Sequence, residues 1–383
     1  MKNLKFLQVY YNKKLVGELG ITKEGTVAFA YDNSWLSTGF SLNPFRLPLE
    51  RRVFVAPNDP FNGLFGVFAD TLPDGWGHLL VDRFLLTKGI NPHSVNPLVR
   101  LSLVNDEGMG ALEYIPKMGE ENSLATLDLD VLARECKEFL TTDDCHDLDT
   151  LFRLGGSSGG ARPKINIVHE NELWLVKFPC STDDINIGSQ EFNYAKCAVE
   201  CGLPMAPIKL FPSKICQGYF GTKRFDRQKE PQGKNKKIHM VSVSGLLETS
   251  HRTPNLDYND LMRLTLQLTK SFAQVEALYR LMCFNVFAHN RDDHSKNFSY
   301  LYDDAAQEWR LSPPYDLTFS YSLGGELATS VNGNGMDPGL EDLLAVAEKI
   351  GIKRKWAEET ALFIQQKVEK QLKNYLQKGR NTI

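Results

Sequence analysis

One change of rhythm limits what this 383-residue chain can become: strand-like alternation marks its first part, and helical spacing takes over beyond about residue 255. Between residues 5 and 31, "KFLQVY", "LVGELGI" and "TVAFAY" set apolar side chains at alternate positions, with "YNKK" and "TKEG" as turns. That pattern predicts a β-meander. After residue 255 one hairpin, "FSYLYDDAAQEWRLSPPYDL", interrupts helices that close with "LEDLLAVAEKIGIKRKWAEETALFIQQKVEKQLKNYLQ". A chain that keeps its strands and helices apart in this way is of the α+β class.

The middle of the chain mixes both periods. "FNGLFGVFADTLPDGWGHLLVDRFLLTKG" reads as helical on either side of "LPDGWG", where Pro73 and the glycines break the run, and "GMGALEYIP" follows as a strand. An acidic connector and the helix "VLARECKEFL" lead to a glycine-rich loop, "GGSSGGARPK", and two strands joined by a short polar turn, "KINIVHENELWLVKFP". The helix "SQEFNYAKCAVECGL", the strand "GYFGTKRFDR" and the exposed loop "QKEPQGKNKK" come next. These signals divide the chain into a β-rich N-terminal subdomain (1–117), a small lobe with the glycine-rich loop (118–227) and a mainly helical large lobe (228–383).

Net charge is −3 with an isoelectric point near 6.3, so no chain-wide positive field recommends direct binding to nucleic acid. No segment approaches the uncharged length needed to cross a bilayer, and the first residues lack the apolar stretch of a signal peptide. The expectation is a cytoplasmic protein with no membrane partner. Seven cysteines without a CxxC sit among apolar neighbours and read as reduced core residues. Cys197 and Cys201 share a helix face but make a poor zinc site without a second pair of ligands.

The chemistry is densest in "HNRDDHSKNFSY", directly after the apolar run "ALYRLMCFNVFA". Asp292 and Asn297 stand five positions apart, the spacing that sets a proton-accepting carboxylate and a magnesium-binding amide oxygen on one turn. Asp316, in "SPPYDL", returns a second carboxylate by the hairpin and completes a candidate metal pair with Asn297. His289 and His294 beside two aspartates could instead serve a metal hydrolase, but the ammonium of Lys296 favours an anionic transition state over a bare divalent metal. His294 is a candidate catalytic contact or a loop brace.

A phosphate-bearing substrate needs a cation, and Lys177 in "ELWLVKFP" shares a strand face with Leu173 and Leu175. Such a lysine needs a negative partner, a phosphate or a helix carboxylate, and Glu191 is the nearest candidate. The glycine-rich loop could cradle phosphate through Ser157, Ser158, Gly159 and Gly160. It is not a Walker A loop, because Ala161 occupies the lysine position.

Taken together, "FADTLPDGWG", "GMGALEYIP", "GSSGGARPK", "LVKFP", "RFDR", "DDHSKNFS" and "SPPYDL" resemble the HipA family of bacterial serine/threonine kinases, the toxin halves of HipBA-type toxin–antitoxin modules. The resemblance covers most of the chain. It implies a protein-kinase-like two-lobed fold using ATP and magnesium. Asp292 would be the catalytic base, Asn297 and Asp316 the metal ligands and Lys177 the phosphate contact. Arg224, Phe225 and Asp226 would form the hinge beside adenine.

Family members phosphorylate a serine in the glycine-rich loop and are inactivated by it; Ser157 falls on that position, with Ser158 as second choice. The expected partners are a protein substrate such as a translation component and a helix-turn-helix antitoxin of the HipB type, through which operator DNA is reached. Two departures stand out. Lys223 occupies a position where the best-known pattern has an acid, and Asp293 replaces a small residue, where it either adds metal affinity or faces solvent. "DDHSKN" also fits an Asp-x-His-x-x-Asn pattern of phosphoinositide kinases, so a lipid or small-molecule kinase and a catalytically silent scaffold are the competing expectations.

Overall fold

The computed structural model describes residues 4–104, 106–118, 128–142, 147–156, 160–229, 235–321 and 323–380. Packing divides them into two compact units: residues 1–188 with 210–249, and residues 189–209 with 250–383.

The first unit opens with the expected meander. Strands β1 (Phe6–Tyr11), β2 (Lys14–Ile21), β3 (Val27–Tyr31), β4 (Val53–Val55) and β5 (Leu112–Ile115) form an antiparallel sheet in the order β4-β3-β2-β1-β5. Alternation does what the sequence implies: Leu7, Val9 and Tyr11 are buried along β1. The β1–β2 turn is two residues, Asn12 and Lys13, both at positive φ, the backbone that matches the twist of a tight hairpin. A short helix α1 (Asn33–Thr38) and α2 (Gly66–Ala69) lie between strands, and α3 (Gly75–Thr87) starts within "LPDGWG". Then come α4 (Pro97–Ser102), α5 (Leu129–Thr142) and α6 (Leu148–Gly155). Phe84 of α3 stacks on Phe152 of α6 with ring centroids 4.2 Å apart, and Trp76 meets Phe139 of α5 edge-on at 5.6 Å.

A second sheet holds β6 (Lys164–His169), β7 (Glu172–Lys177), β8 (Ile208–Phe211) and β9 (Tyr219–Lys223), in the order β6-β7-β9-β8. One face of β6–β7, with Ile165, Trp174 and Val176, joins the core built by α3, α5 and α6. The hairpin β10 (Arg227–Lys229) and β11 (Asn235–Lys237), the strand β12 (His239–Ser242) and, beyond α7 (Ile187–Glu200), the short helix α8 (Val243–Leu247) complete the strands and helices of this part of the chain.

The two compact units cut across the expected small-lobe and large-lobe segments, 118–227 and 228–383. Residues 239–248, expected in the large lobe, are tied to the N-terminal subdomain. Ser242 donates its N–H and hydroxyl to Asp70 at 2.7 and 2.9 Å, Asn43 donates to the carbonyls of Gly245 and Leu246 at 3.1 Å each, and His239 Nε2 meets the Leu42 carbonyl at 2.9 Å. Helix α7, expected in the small lobe, belongs with the C-terminal unit from Ser189 onward. There Tyr194 donates to the Ala288 carbonyl at 3.2 Å and Asn193 to Tyr375 at 2.7 Å. Long-range hydrogen bonds of this kind leave no periodic signal in sequence.

The second unit is mainly helical. After β13 (Leu256–Asp257) come α9 (Tyr258–Thr269) and α10 (Phe272–Phe287), the hairpin β14 (Ser299–Asp303) and β15 (Glu308–Leu311), β16 (Thr329–Ser330), and then α11 (Leu340–Ile350), α12 (Arg354–Gln371) and α13 (Lys373–Arg380). Helix α10 is apolar nearly all round because α9, α11 and α12 all pack against it; Val275, Leu278, Tyr279, Met282 and Phe284 are fully buried. Among the described cysteines none is in a disulfide; Cys136, Cys197, Cys201 and Cys283 are buried, as their apolar neighbours imply, whereas Cys180 and Cys216, also expected in the core, are only half-buried. No helix among the described residues is long and apolar enough to cross a membrane.

Candidate active site

Helix α10 stops where its sequence turns polar. Ala288 caps it, His289 adopts the left-handed conformation at φ 52°, and the N–H of Asn290 returns to the Asn285 carbonyl at 2.9 Å. The next residues leave the helix as a loop anchored at both ends. Ser320 donates its N–H to the His289 carbonyl at 3.1 Å, and Asn297 closes the turn by donating Nδ2 to the Asp292 carbonyl at 2.6 Å.

That last bond brings together two residues the sequence paired. With its amide nitrogen committed to backbone, Asn297 keeps Oδ1 as the atom available to a cation. The side chain of Asp292 is 66% exposed, so its carboxylate is open to a reactant. His294 caps a short 3₁₀ turn: its Nδ1 accepts the Lys296 N–H at 3.2 Å, which leaves Nε2, 3.9 Å from Asp292 Oδ1, to carry the proton of the neutral ring. The loop-brace role of His294 is thus visible, and its free edge faces the candidate base.

Asp316 follows the hairpin, as expected, and its backbone is left-handed at φ 55°. Its neighbour Tyr315 fastens this segment to the loop: the hydroxyl donates to the Lys296 carbonyl at 2.5 Å and lies 2.6 Å from Ser299 Oγ. Magnesium takes oxygen ligands, keeps several waters and binds through one or two protein groups plus phosphate. An amide oxygen freed on a turn and a carboxylate on the adjoining segment suit that demand.

Asp293 neither adds to the metal ligands nor faces solvent; both expectations are corrected. It is 1% exposed, accepts from the Tyr258 hydroxyl at 2.7 Å and from the Thr329 N–H at 3.1 Å, and its carbonyl receives the Thr329 hydroxyl at 2.5 Å. Asn285 donates to Tyr258 at 2.9 Å and Asn290 to Asn285 at 2.9 Å, which extends the network to the root of the loop. Burial pushes the Asp293 carboxyl up to about 8, against the lowering effect of Tyr258 and the backbone. A buried carboxyl in this setting keeps its proton at neutral pH and serves as a brace beneath Asp292.

In the first unit, Lys177 is buried at the end of β7 with its ammonium 5.7 Å from the centre of the Phe220 ring. It lies on the face of β7 opposite the core residues Trp174 and Val176, as alternation requires. Glu191 is buried on α7. Sequence reasoning missed a second lysine. Lys164, 5% exposed, is the direct cross-strand partner of Lys177. The signal was available, because the turn is the two residues Glu170 and Asn171, both at positive φ, and counting six residues outward from each side of it reaches Lys164 and Lys177. Two like charges directly opposite destabilise a bare sheet, so the pairing suits an anionic ligand on this face.

Ser157, Ser158 and Gly159 lie outside the described residues. Gly160 is described, at φ 87°, and Arg162 beyond it is held by Asp183 at 2.9 and 3.1 Å.

The side chains of Arg224 and Asp226 are spent elsewhere than on a ligand. Asp226 accepts from Arg224, from Arg227 and from the Gly110 N–H at 2.8 Å; Arg224 reaches the carbonyls of Glu107 and Gly108, and Arg227 those of Gly108 and Gly110. Burial would raise the Asp226 carboxyl, but the two guanidinium groups outweigh it and hold it well below the usual carboxylate range. This ion cluster fastens the segment before β5 to the end of β9. A ligand at residues 224–226 is left with backbone and with Phe225. Lys223 pairs with Glu172 at 3.0 Å.

Comparison with known proteins decides the family. The HipA N-terminal domain matches residues 7–115 and the HipA-like C-terminal domain matches residues 156–372. The chain belongs to the HipA family. Relatives include Y4mE of Sinorhizobium fredii, named as a candidate kinase, 25% identical over 344 residues that cover 82% of this chain and 77% of the relative. The serine/threonine-protein kinase toxin HipA of Shewanella oneidensis is 22% identical over 346 residues, 81% of this chain and 74% of the relative. The Shewanella oneidensis complex of HipA, HipB and operator DNA contains a chain that superposes with a TM-score of 0.73 at 17% identity, covering 97% of this chain and 90% of that one. The α+β, two-lobed kinase-like fold with a β-rich N-terminal subdomain is thereby shown.

Proposed function

We propose that the chain is an ATP- and magnesium-dependent serine/threonine-protein kinase of the HipA type. Membership of a family with kinase-named relatives supports the class. One observation carries the chemistry: the Asn297–Asp292 hydrogen bond, which leaves an open carboxylate and a free amide oxygen on a single turn. In the reaction the acceptor hydroxyl oxygen bonds the γ-phosphorus, the bond to the β-phosphate oxygen breaks, ADP departs and the hydroxyl proton passes to Asp292. His294 Nε2 steadies the Asp292 carboxylate as it turns toward the acceptor. Lys177 and Lys164 neutralise phosphate charge. Magnesium, held by Asn297 Oδ1 and Asp316, would supply further neutralisation.

By the same reading Ser157, with Ser158 as second choice, is the self-phosphorylation site, a cellular protein is the substrate, and a HipB-type antitoxin is the partner that carries operator DNA. The near-neutral charge of this chain agrees with DNA contact through another protein.

Purified protein with magnesium and γ-labelled ATP should label itself on the 157–158 segment, and Asp292→Asn should not. Label appearing only in lipid or small-molecule fractions would move the assignment to another kinase class. Absence of transfer together with absence of stabilisation by ATP-magnesium would reduce the chain to a scaffold.

A further inference from the structure

The motif "LPDGWG" is part of the N-terminal subdomain, yet it holds Gly160 of the glycine-rich segment and passes close to Gly155. The Gly160 N–H donates to Asp74 Oδ1, and the Trp76 N–H donates to the Gly160 carbonyl at 3.0 Å. Gly75, at φ 46°, passes so near that a β-carbon there would stand 2.5 Å from the Gly160 carbonyl oxygen. At the end of α6, a β-carbon on Gly155 would stand 2.8 Å from the Trp76 indole nitrogen and 2.7 Å from the Lys164 carbonyl. Lys164 closes the arrangement, since its ammonium fills the space a Gly160 side chain would need. Trp76 itself is 1% exposed and anchored in the core through Phe139, so the start of α3 is a fixed support.

We infer that Asp74, Gly75 and Trp76 are positioning residues for phosphate binding: the start of α3 fixes Gly160 and Lys164, and through them the affinity for a nucleoside triphosphate. The inference rests on the kinase reading above. None of the three need touch the ligand. Asp74 accepts the amide of a residue whose φ of 87° already requires glycine, and Gly75 allows the close approach that Trp76 exploits. The subdomain that distinguishes this family from other kinases would thus act on the nucleotide through one backbone residue.

Asp74→Ala removes the acceptor, Gly75→Ala forces the two backbones apart, and Asp74→Asn restores an acceptor without the charge. The KM for ATP should rise about tenfold in Asp74→Ala, equivalent to roughly 1.4 kcal/mol, with kcat within about twofold, and Asp74→Asn should recover most of the loss. Hydrogen exchange at the Gly160 amide, measured without nucleotide, should be about tenfold faster in Asp74→Ala than in the parent, while exchange in β1 and β2 of the same unit stays unchanged and reports its intact folding.

Unchanged KM and unchanged Gly160 exchange in both alanine variants would overturn the inference, as would an Asp74→Asn variant no better than Asp74→Ala. Should the parent itself ignore ATP in a thermal-shift assay, the kinase reading falls, and the exchange comparison still decides whether Asp74 holds Gly160.

Discussion

The two units hold their functional segments with opposite electrostatics. Beside β9, Arg224, Asp226 and Arg227 form a buried cluster of full charges that binds residues 106–110. Beneath the catalytic loop, Asp293, Tyr258, Asn285 and Asn290 form a buried chain whose one acid retains its proton near neutral pH. Charges give a rigid joint but must be fully paired to be tolerated away from water. A neutral brace places no fixed charge below Asp292, so the carboxylate meant to receive a proton is not opposed by a second one beside it in sequence. The joint secures a subdomain; the brace shapes a reactive turn.

Asp292→Asn should separate chemistry from structure most sharply. The side chain is largely exposed and is no part of the brace. Transfer should fall roughly 100- to 10,000-fold, the range for a lost general base, while stability moves by no more than about 0.5 kcal/mol. Chemical denaturation and label transfer on the same preparation check both halves. A variant that loses several kcal/mol would place Asp292 in the framework and undo the division between turn and brace.

Asp226→Ala attacks the charged joint. It leaves two buried guanidinium groups facing one another and orphans the Gly110 N–H, a loss of about 3–5 kcal/mol by the cost of uncompensated buried charge. Urea unfolding should show the loss, and hydrogen exchange should place it in β5 and β9 while α10 keeps its protection. Uniform loss across both units would mean that the chain unfolds as a single cooperative body.

What could be read from the sequence followed locality. Asp292 and Asn297 are five residues apart, so their meeting needs only one turn of chain, and the meander was legible because alternation and its turn residues lie side by side. The Lys164–Lys177 pairing was legible in principle from the two-residue turn, although composition alone hid it. The burial of Asp226 was hidden because the backbone that it and its two neighbouring arginines fasten, residues 106–110, lies more than 110 positions upstream, and that of Asp293 because Tyr258 and Thr329 lie 35 and 36 positions away. The packing of residues 239–248 with the N-terminal subdomain escaped for the same reason, since Asp70 and Ser242 meet across 172 positions. Pattern locates elements; it does not say which distant backbone a buried charge will serve.

The smallest effect at neutral pH, and the finest test of the contrast, comes from titration. Asp293 has a folded pKa of about 8, well above that of an unfolded aspartate, so the folded state keeps a proton that the unfolded chain has released. Its stabilising contribution is complete below about pH 4 and is lost as pH rises through 8, with a slope of at most about 1.4 kcal/mol per pH unit. His239, in the first unit, runs the other way. Burial pushes it down to about 4 even though the Leu42 carbonyl opposes the shift, so its contribution is present above about 6.5 and lost as pH falls through 4. In Asp293→Asn the amide can still accept from Thr329 and donate to Tyr258, so the change at pH 7 should stay within about 1 kcal/mol. Denaturation from pH 4 to 9 should then show a flatter alkaline limb, the fall between about pH 4 and 8, in this variant than in the parent. If the alkaline limbs coincide, Asp293 is ionised in the folded chain, and the catalytic turn rests on a charge after all.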